Sequence, residues 1–180
     1  PPPIYAPAMS LNSSTMKTAG RKGWGPISSN LIAGNVVADN WQTYEKAAIE
    51  AGRTPDRSDW RVCRSIFLAD TKEEAAEKVR TNSLGNNFNY IGGLFDQGLG
   101  RKVFKRDAAT PDDACRIDYL MQEQIIHGDV NEVLRRLHNL IDETGDFGTL
   151  LLMGYDWDDK DAWIHSMNLF VNEVMPALNA

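Results

Sequence analysis

Strand-like and helix-like segments alternate four times along this chain of 180 residues. The strand-like segments lie near residues 4–8, 26–32, 60–68 and 148–153, and a helix-like segment follows each of them. Such alternation predicts an α/β fold in which helices cover a parallel sheet. Four units can form a small flavodoxin-like sheet, or half of an eight-stranded (β/α) barrel, which normally needs about 250 residues.

The composition limits the classes of partner and the cellular locations that this chain is expected to have. A hydrophobic content of 42% and a charged content of 24% are ordinary for one globular domain, and a net charge of −6 argues against a nucleic-acid surface. The sequence contains no apolar run of about 18 residues, so we predict no membrane span. No signal-peptide pattern opens the chain. Cys63 and Cys115 are too far apart for a metal motif and predict no disulfide framework, so we expect a reducing, cytoplasmic location and no metal.

A polar turn follows the first strand-like segment. Its hydroxyl and amide side chains are Ser10, Asn12, Ser13, Ser14 and Thr15, and the short helical segment after them stops at Gly23. A helix N-terminus has free backbone N–H groups and a partial positive charge, so a phosphate is a natural ligand there. The alternative is that one serine caps the helix and the others lie in a solvated turn.

Helix signals are clearest in the middle and second half of the chain. Thr71 and Glu74 predict a capping box. Asp129 predicts the start of an amphipathic helix that ends at a left-handed Gly145. The apolar run after it, Phe147 to Gly154, predicts a strand buried on both faces.

A long segment between the third helix and residue 115 has no sustained period. Five glycines interrupt it, and Arg101, Lys102, Lys105 and Arg106 make it basic. Segments of this length without regular elements are commonly functional. We therefore expect a mobile active-site loop with short helical pieces at about 81–115, or alternatively a disordered basic insertion. On closing, Asp156 or Asp158 would pair with basic residues of and beside the loop, which are Lys102, Lys105, Arg106 and Arg116. The alternative is that these are only solvated surface charges.

Several longer segments resemble one family. IYAPAMSLNSST, GPISSNLI, CRIDYLMQEQIIHGDVNEV and FGTLLLMGYDWDD are similar to the C-terminal half of the bacterial-luciferase-like, flavin-dependent monooxygenases. The closing pattern of Phe170, Val174, Met175 and Pro176 also resembles that family. The resemblance covers nearly the whole chain.

The resemblance implies a fold and an activity. Residues 1–180 would form the C-terminal half of a (β/α)8 TIM barrel, with the insertion at about 81–115. The whole enzyme would be a monooxygenase that uses O2 and reduced FMN, supplied by a flavin reductase, to oxygenate a small organic substrate. The catalytic residues are expected in the N-terminal half, so this segment alone would be inactive, and we expect a homodimer or pairing with that half.

The resemblance also implies the cofactor-binding residues, which are Met9, Ser10, Ser13, Ser14, Thr15, Ser29 and Asn30. Luciferases carry a glutamate at the place of Met9, and Asn12 is an extra residue in the turn. Asn30 replaces a tryptophan over the flavin, which implies a more polar pocket. These departures favour an oxygenase with another substrate.

The remaining candidate groups have weaker roles. His127, His138 and His165 are expected to be structural or solvated, and Arg64, inside a strand, is expected to contact the flavin tail or a neighbouring Asp. Two alternative functions stay open. One is a non-catalytic or engineered half-barrel that binds flavin or pairs with a partner, and the other is a deazaflavin-dependent oxidoreductase of the same fold.

Overall fold

A computed structural model describes residues 2–98 and 100–178 and contains one parallel sheet. The strands are β1 (Tyr5–Ala8), β2 (Gly25–Ser28), β3 (Arg61–Leu68), β4 (Ile125–Gly128) and β5 (Thr149–Leu152). β1 pairs with β2, and β2 pairs with the start of β3. β5 pairs with the first half of β3 and β4 with the second half, all in parallel. The predicted order of four adjacent parallel strands is confirmed.

The sequence analysis predicted four strands and missed β4. Its four residues lie directly before the Asp129 helix start, in a segment for which the sequence analysis predicted no strand. Ile125 and Ile126 are both buried, on opposite faces of the strand. A strand this short leaves too few alternations for its period to be recognised.

Helices connect and cover the strands. They are α1 (Ser14–Lys22), α2 (Gly34–Glu50), α3 (Lys72–Thr81), α4 (Ser83–Asp96), α5 (Ile117–Glu123), α6 (Val130–Thr144), α7 (Lys160–Leu169) and α8 (Met175–Leu178). Short helical turns occupy Arg57–Asp59, Arg101–Phe104 and Asp112–Ala114, and a π-helical turn, Phe170–Val174, joins α7 to α8.

The predicted helix ends agree with the structure in three places. Thr71 Oγ1 accepts a hydrogen bond from Glu74 N at 3.1 Å, and Asp129 Oδ1 accepts one from Glu132 N at 2.8 Å. α6 ends before Gly145, which has a φ of 76°. The caps at Thr71 and Asp129 satisfy N–H groups that the first turn of each helix leaves free.

The insertion is more regular than expected. Its first half forms α4, a helix of 14 residues in place of the expected short helical pieces. Asn82 caps the helix through Leu84 N and Gly85 N, and Leu84 and Phe88 are fully buried. Local capping and burial thus offset the glycines, which disfavour a helix by about 1 kcal/mol each. Leu99, within the insertion, lies outside the described residues.

One face of the sheet packs against α1, α2 and α6. Trp41 of α2 lies on Trp60, with 5.2 Å between ring centroids, and Val62, Ile66 and Leu68 of β3 join the same apolar cluster. Side chains alternate along a strand, so Arg64 lies on this helix-covered face too. A second cluster around Phe67 includes residues from α3, α4, α5 and α7.

The expectation that the last strand is buried on both faces is wrong. None of the four residues of β5 is buried, and Leu152 and the following Met153 are 47% and 40% exposed. Apolar composition indicates that a strand tends to be buried, but burial also requires other segments that pack against the strand. The described residues contain no second strand on the far side of β5.

We expect Gly20→Ala to destabilise the fold by about 1–3 kcal/mol, because it overpacks the contact between α1 and α2. A Cβ at Gly20 would meet the Tyr44 carbonyl oxygen and, at 2.9 Å, the Ala48 backbone nitrogen. Gly93→Ala is the matched control, since nothing lies within 4 Å of its Cβ position on helix α4. It should be neutral or stabilising by up to about 1 kcal/mol. Urea unfolding of both variants tests this, and equal effects would contradict it.

Candidate functional site

The polar turn between β1 and α1 leads directly into a helix N-terminus. The Ser13 side chain is buried and accepts a hydrogen bond from Met16 N at 3.3 Å, so it is the N-cap of α1. Ser14 and Thr15 are exposed, and no carboxylate lies in the first turn. Arg21 and Lys22 lie in the last turn, where they complement the helix dipole. The N-terminus is therefore electropositive and accessible.

Six of the seven predicted cofactor-binding residues line one open cavity of about 390 Å³. They are Met9, Ser10, Ser13, Ser14, Thr15 and Ser29. The opposite wall comes from the insertion and includes Phe95, Lys102 and Val103. Lys102 was not among the predicted cofactor-binding residues. Its only sequence signal was its place in a basic run, which does not indicate which basic residue reaches the turn.

Helix α2 holds the turn in place. Asn12 has a φ of 52°, and its backbone N–H donates to Asp39 Oδ2 at 2.6 Å. Asn40 Nδ2 donates to the Ser10 carbonyl oxygen at 3.0 Å and Asn40 Oδ1 accepts from Ser28 Oγ at 3.3 Å. Asparagine tolerates the left-handed region better than most residues. The extra residue in the turn is thus accommodated and tied to the adjacent helix.

Asn30 is the predicted site residue that the structure separates from this cavity. It is buried, and its Nδ2 donates to Ser65 Oγ at 3.0 Å and to Tyr155 Oη at 3.3 Å. The two hydroxyls also bond each other at 2.5 Å. Burial raises the pKa of Tyr155, so the phenol stays protonated at neutral pH. Ser65 and Tyr155 were missed, although a serine inside the apolar strand β3 is a detectable signal.

The three histidines occupy different environments. His127 is half-buried at the end of β4, His138 is exposed on α6, and His165 Nε2 lies 2.7 Å from Asp70 Oδ1 on the surface. Burial and the neighbouring Arg136 lower the pKa of His127 to about 4.

Within residues 2–98 and 100–178, no basic residue of the insertion pairs with Asp156 or Asp158 in this conformation, so the pairing expected on closing stays a prediction. Asp158 instead accepts from Ser83 N at 2.6 Å and from Trp163 Nε1 at 3.1 Å. The basic residues pair with other carboxylates, of which Asp96 and Asp112 lie within the insertion itself. The observed pairs are Arg101 and Arg116 with Asp96, Lys105 with Asp112, and Arg106 with Glu123 and Glu143.

Of the two contacts expected for Arg64, the one with a neighbouring Asp is not formed among residues 2–98 and 100–178, and the one with the flavin tail stays a prediction. It is 2% exposed, and its Nη1 donates to the carbonyl oxygens of Ser29 at 3.2 Å and Cys63 at 3.0 Å. The bond to Ser29 fixes the chain where β2 ends, beside the cavity of the polar turn. Arg64 therefore positions this end of the sheet.

The curated proteins to which this chain is similar belong to one class of enzyme. The chain is 31% identical over 180 residues to 3,6-diketocamphane 1,6-monooxygenase of Pseudomonas putida, covering 98% of this chain and 47% of that protein. It is 29% identical over 167 residues to limonene 1,2-monooxygenase of Rhodococcus erythropolis, covering 91% and 41%. These relatives are monooxygenases.

A solved structure to which this chain is similar is also a monooxygenase. It is the oxygenating constituent of 3,6-diketocamphane monooxygenase from Pseudomonas putida, a type II Baeyer-Villiger monooxygenase in complex with FMN. The TM-score is 0.84 at 30% sequence identity, covering 97% of this chain and 49% of that one. The chain thus spans about half the length of the curated relatives it matches. No protein-family model matches it.

Among residues 2–98 and 100–178, no helix is both long enough and apolar enough to cross a lipid bilayer.

Proposed function

We propose that this chain is part of an FMN-dependent monooxygenase that uses reduced flavin and O2 to oxygenate a small organic substrate. The observation that carries the proposal is the cavity at the N-terminus of α1, where six residues of the sequence-based site converge. The relatives are monooxygenases, and one of them is in complex with FMN. Their names point to cyclic ketones and terpenes as the substrate class.

The polar turn would hold the phosphate of FMN. The backbone N–H groups of Ser14 and Thr15 have no intrahelical acceptor, because they begin the helix. The exposed hydroxyls of both residues add two donors, and the helix dipole adds positive potential. Lys102 supplies a cation from the opposite wall. Backbone N–H groups, hydroxyl groups and one ammonium group would thus act on one anionic group, together with the helix dipole.

The rest of the flavin would extend along the carboxyl ends of the strands. Ser29 lines the cavity, and Asn30 lies one residue further along the chain, held by Ser65 and Tyr155. Flavin bound here supplies the redox chemistry, and the protein orients it and excludes water. Ser29 contributes contact to the cavity, while Asn30 keeps the end of β2 rigid through the buried polar cluster.

We also propose that the chain forms the C-terminal half of a (β/α)8 barrel, with the catalytic residues in the other half. The parallel order of β1, β2, β3 and β5 fits half of such a barrel, and the exposed β5 offers an edge for a further strand. An N-terminal half or a second copy would cover this edge, and a flavin reductase would supply reduced FMN. A cytoplasmic location is part of the proposal, since Cys63 and Cys115 are free thiols.

The activity test is formation of oxygenated product by the full natural protein with reduced FMN, O2 and a cyclic ketone or terpene. Free reduced FMN also consumes one O2 per flavin and releases H2O2, so we expect oxygenated product and less H2O2 only when protein and substrate are both present. Reduced deazaflavin in place of FMN is the control for the alternative cofactor, and we expect no substrate turnover with it. Turnover with deazaflavin alone, or flavin binding without turnover of any tested ketone or terpene, would contradict the proposal.

A further inference from the structure

A second, polar cavity of about 300 Å³ lies between the sheet and the helices α2, α5 and α6. It shares no lining residue with the cavity of the polar turn. Its charged lining consists of four arginines and two glutamates: Arg64, Arg106, Arg135, Arg136, Glu123 and Glu143. Arg135 pairs with Glu132, which lies outside the lining. The lining itself carries more arginines than carboxylates, and the cavity is distinct from the site described above.

Both glutamates of this cavity are engaged by one arginine. Arg106 Nε donates to Glu123 Oε2 at 2.6 Å, and Arg106 Nη1 and Nη2 donate to Glu143 at 2.6 and 3.1 Å. This geometry is the strong, fork-like pairing that arginine makes with carboxylates. No lining carboxylate is left as the main partner of the deeper arginines.

Arg64 is the deepest charge in the cavity. Among residues 2–98 and 100–178, no carboxylate forms an ion pair with it, and only Nη1 makes hydrogen bonds. A buried guanidinium without a counter-ion is costly, and burial lowers the pKa of Arg64 to about 10, where it is still charged at neutral pH. An anion in the cavity would remove this cost.

Arg136, on helix α6, provides a second, fixed cation in the lining of the same cavity. Its Nη2 donates to the carbonyl oxygens of Met121 and Gln122, both at 2.8 Å, and its Nη1 lies 2.9 Å from His127 Nδ1. These bonds to neutral acceptors hold the guanidinium in place without neutralising it. The cavity thus contains two ordered arginines whose charge no carboxylate cancels directly.

We propose that this cavity binds a small oxyanion, a phosphate or a carboxylate group, between Arg64 and Arg136. Planar guanidinium groups match the oxygens of both groups, and partial burial strengthens the interaction. The volume is at the lower end of ligand pockets, which favours a small ligand. Because Arg64 also bonds the Ser29 carbonyl oxygen, the bound anion would be linked to the end of β2.

The test is calorimetric titration of the full natural protein with inorganic phosphate, and separately with acetate, at ionic strength kept constant with chloride. We expect saturable binding of at least one anion, and the better ligand identifies the group that is recognised. Arg64→Gln should abolish binding in this cavity. Asn139→Asp, at an exposed lining position, should weaken it about tenfold, which is about 1.4 kcal/mol, because the new carboxylate repels the bound anion.

Two matched variants distinguish binding in this cavity from a general charge effect and from binding at the polar turn. Asn131→Asp makes the same change on the same helix, at an exposed position outside the cavity, and should change affinity by less than about twofold. Ser13→Ala/Ser14→Ala weakens anion binding at the polar turn and should leave the binding in this cavity intact. The proposal is overturned if neither anion binds saturably, if Asn131→Asp and Asn139→Asp have equal effects, or if only the serine variant loses binding.

Discussion

Replacing Ser13 and Ser14 together with alanine is expected to lower the affinity for FMN about ten- to a hundredfold without abolishing it. A hydrogen bond to a charged group contributes roughly 1.5–3 kcal/mol, and 1.4 kcal/mol is a factor of ten in affinity. The backbone N–H groups at the start of α1 remain, which is why binding persists. Flavin titration of the full natural protein measures the effect, and riboflavin, which lacks the phosphate, should be nearly unaffected.

The cap at Ser13 requires its own control. Its hydroxyl accepts from Met16 N, so its loss also weakens α1 by about 1 kcal/mol. Thr71→Ala removes a comparable cap from α3, away from the polar turn, and should reduce stability without changing the ratio of FMN to riboflavin affinity. Equal losses for both flavins in the serine variant, or no loss for either, would refute a phosphate site at this turn.

The free energy of unfolding is expected to fall by about 2–3 kcal/mol between pH 7 and pH 4 because of His127 alone. Burial and Arg136 lower the pKa of His127 from 6.5 to about 4 in the folded state. Arg136 cannot accept a hydrogen bond, so its Nη1, 2.9 Å away, donates to an unprotonated Nδ1. The longer 3.3 Å contact of Nδ1 with the Ile125 carbonyl is then not a hydrogen bond.

The direction of the pH effect follows from proton uptake on unfolding. Between about pH 4 and 6.5 the unfolded chain protonates His127 while the folded chain does not, so stability rises with pH across this window. This stability is lost as the pH falls from 6.5 towards 4. Each unit by which the pKa is shifted corresponds to about 1.4 kcal/mol. The carboxylates with lowered pKa values, such as Asp96 and Asp112, act mainly below this window.

The measurement is urea unfolding of wild type and His127→Asn from about pH 7 to about pH 4.5. Asparagine can place an oxygen near the position of Nδ1 and accept from Arg136, but it does not titrate. The difference between the two proteins should shrink with falling pH, because only wild type loses this stability. His138→Asn, at an exposed position of α6, is the control and should keep the wild-type slope. An unchanged slope in His127→Asn would show that His127 is not the cause.

The sequence by itself determined the features that depend on contacts within a few residues. The caps at Thr71 and Asp129 bond backbone groups three residues away, and the end of α1 at Gly23 needs only its left-handed backbone. The alternation of strand-like and helix-like patterns determined the parallel order of four strands, because each pattern has its own period. The polar turn could be predicted for the same reason, since strand, turn and helix are contiguous.

Only the tertiary structure decided which distant groups meet. Lys102 reaches the polar turn, and Tyr155 reaches Ser65 across 90 residues. The ion pairs of the insertion, the buried Arg64 and the exposure of β5 likewise depend on which segments pack together, and composition does not encode this. β4 and α4 were missed or underestimated because their stability comes from burial against other elements and not from a strong local period.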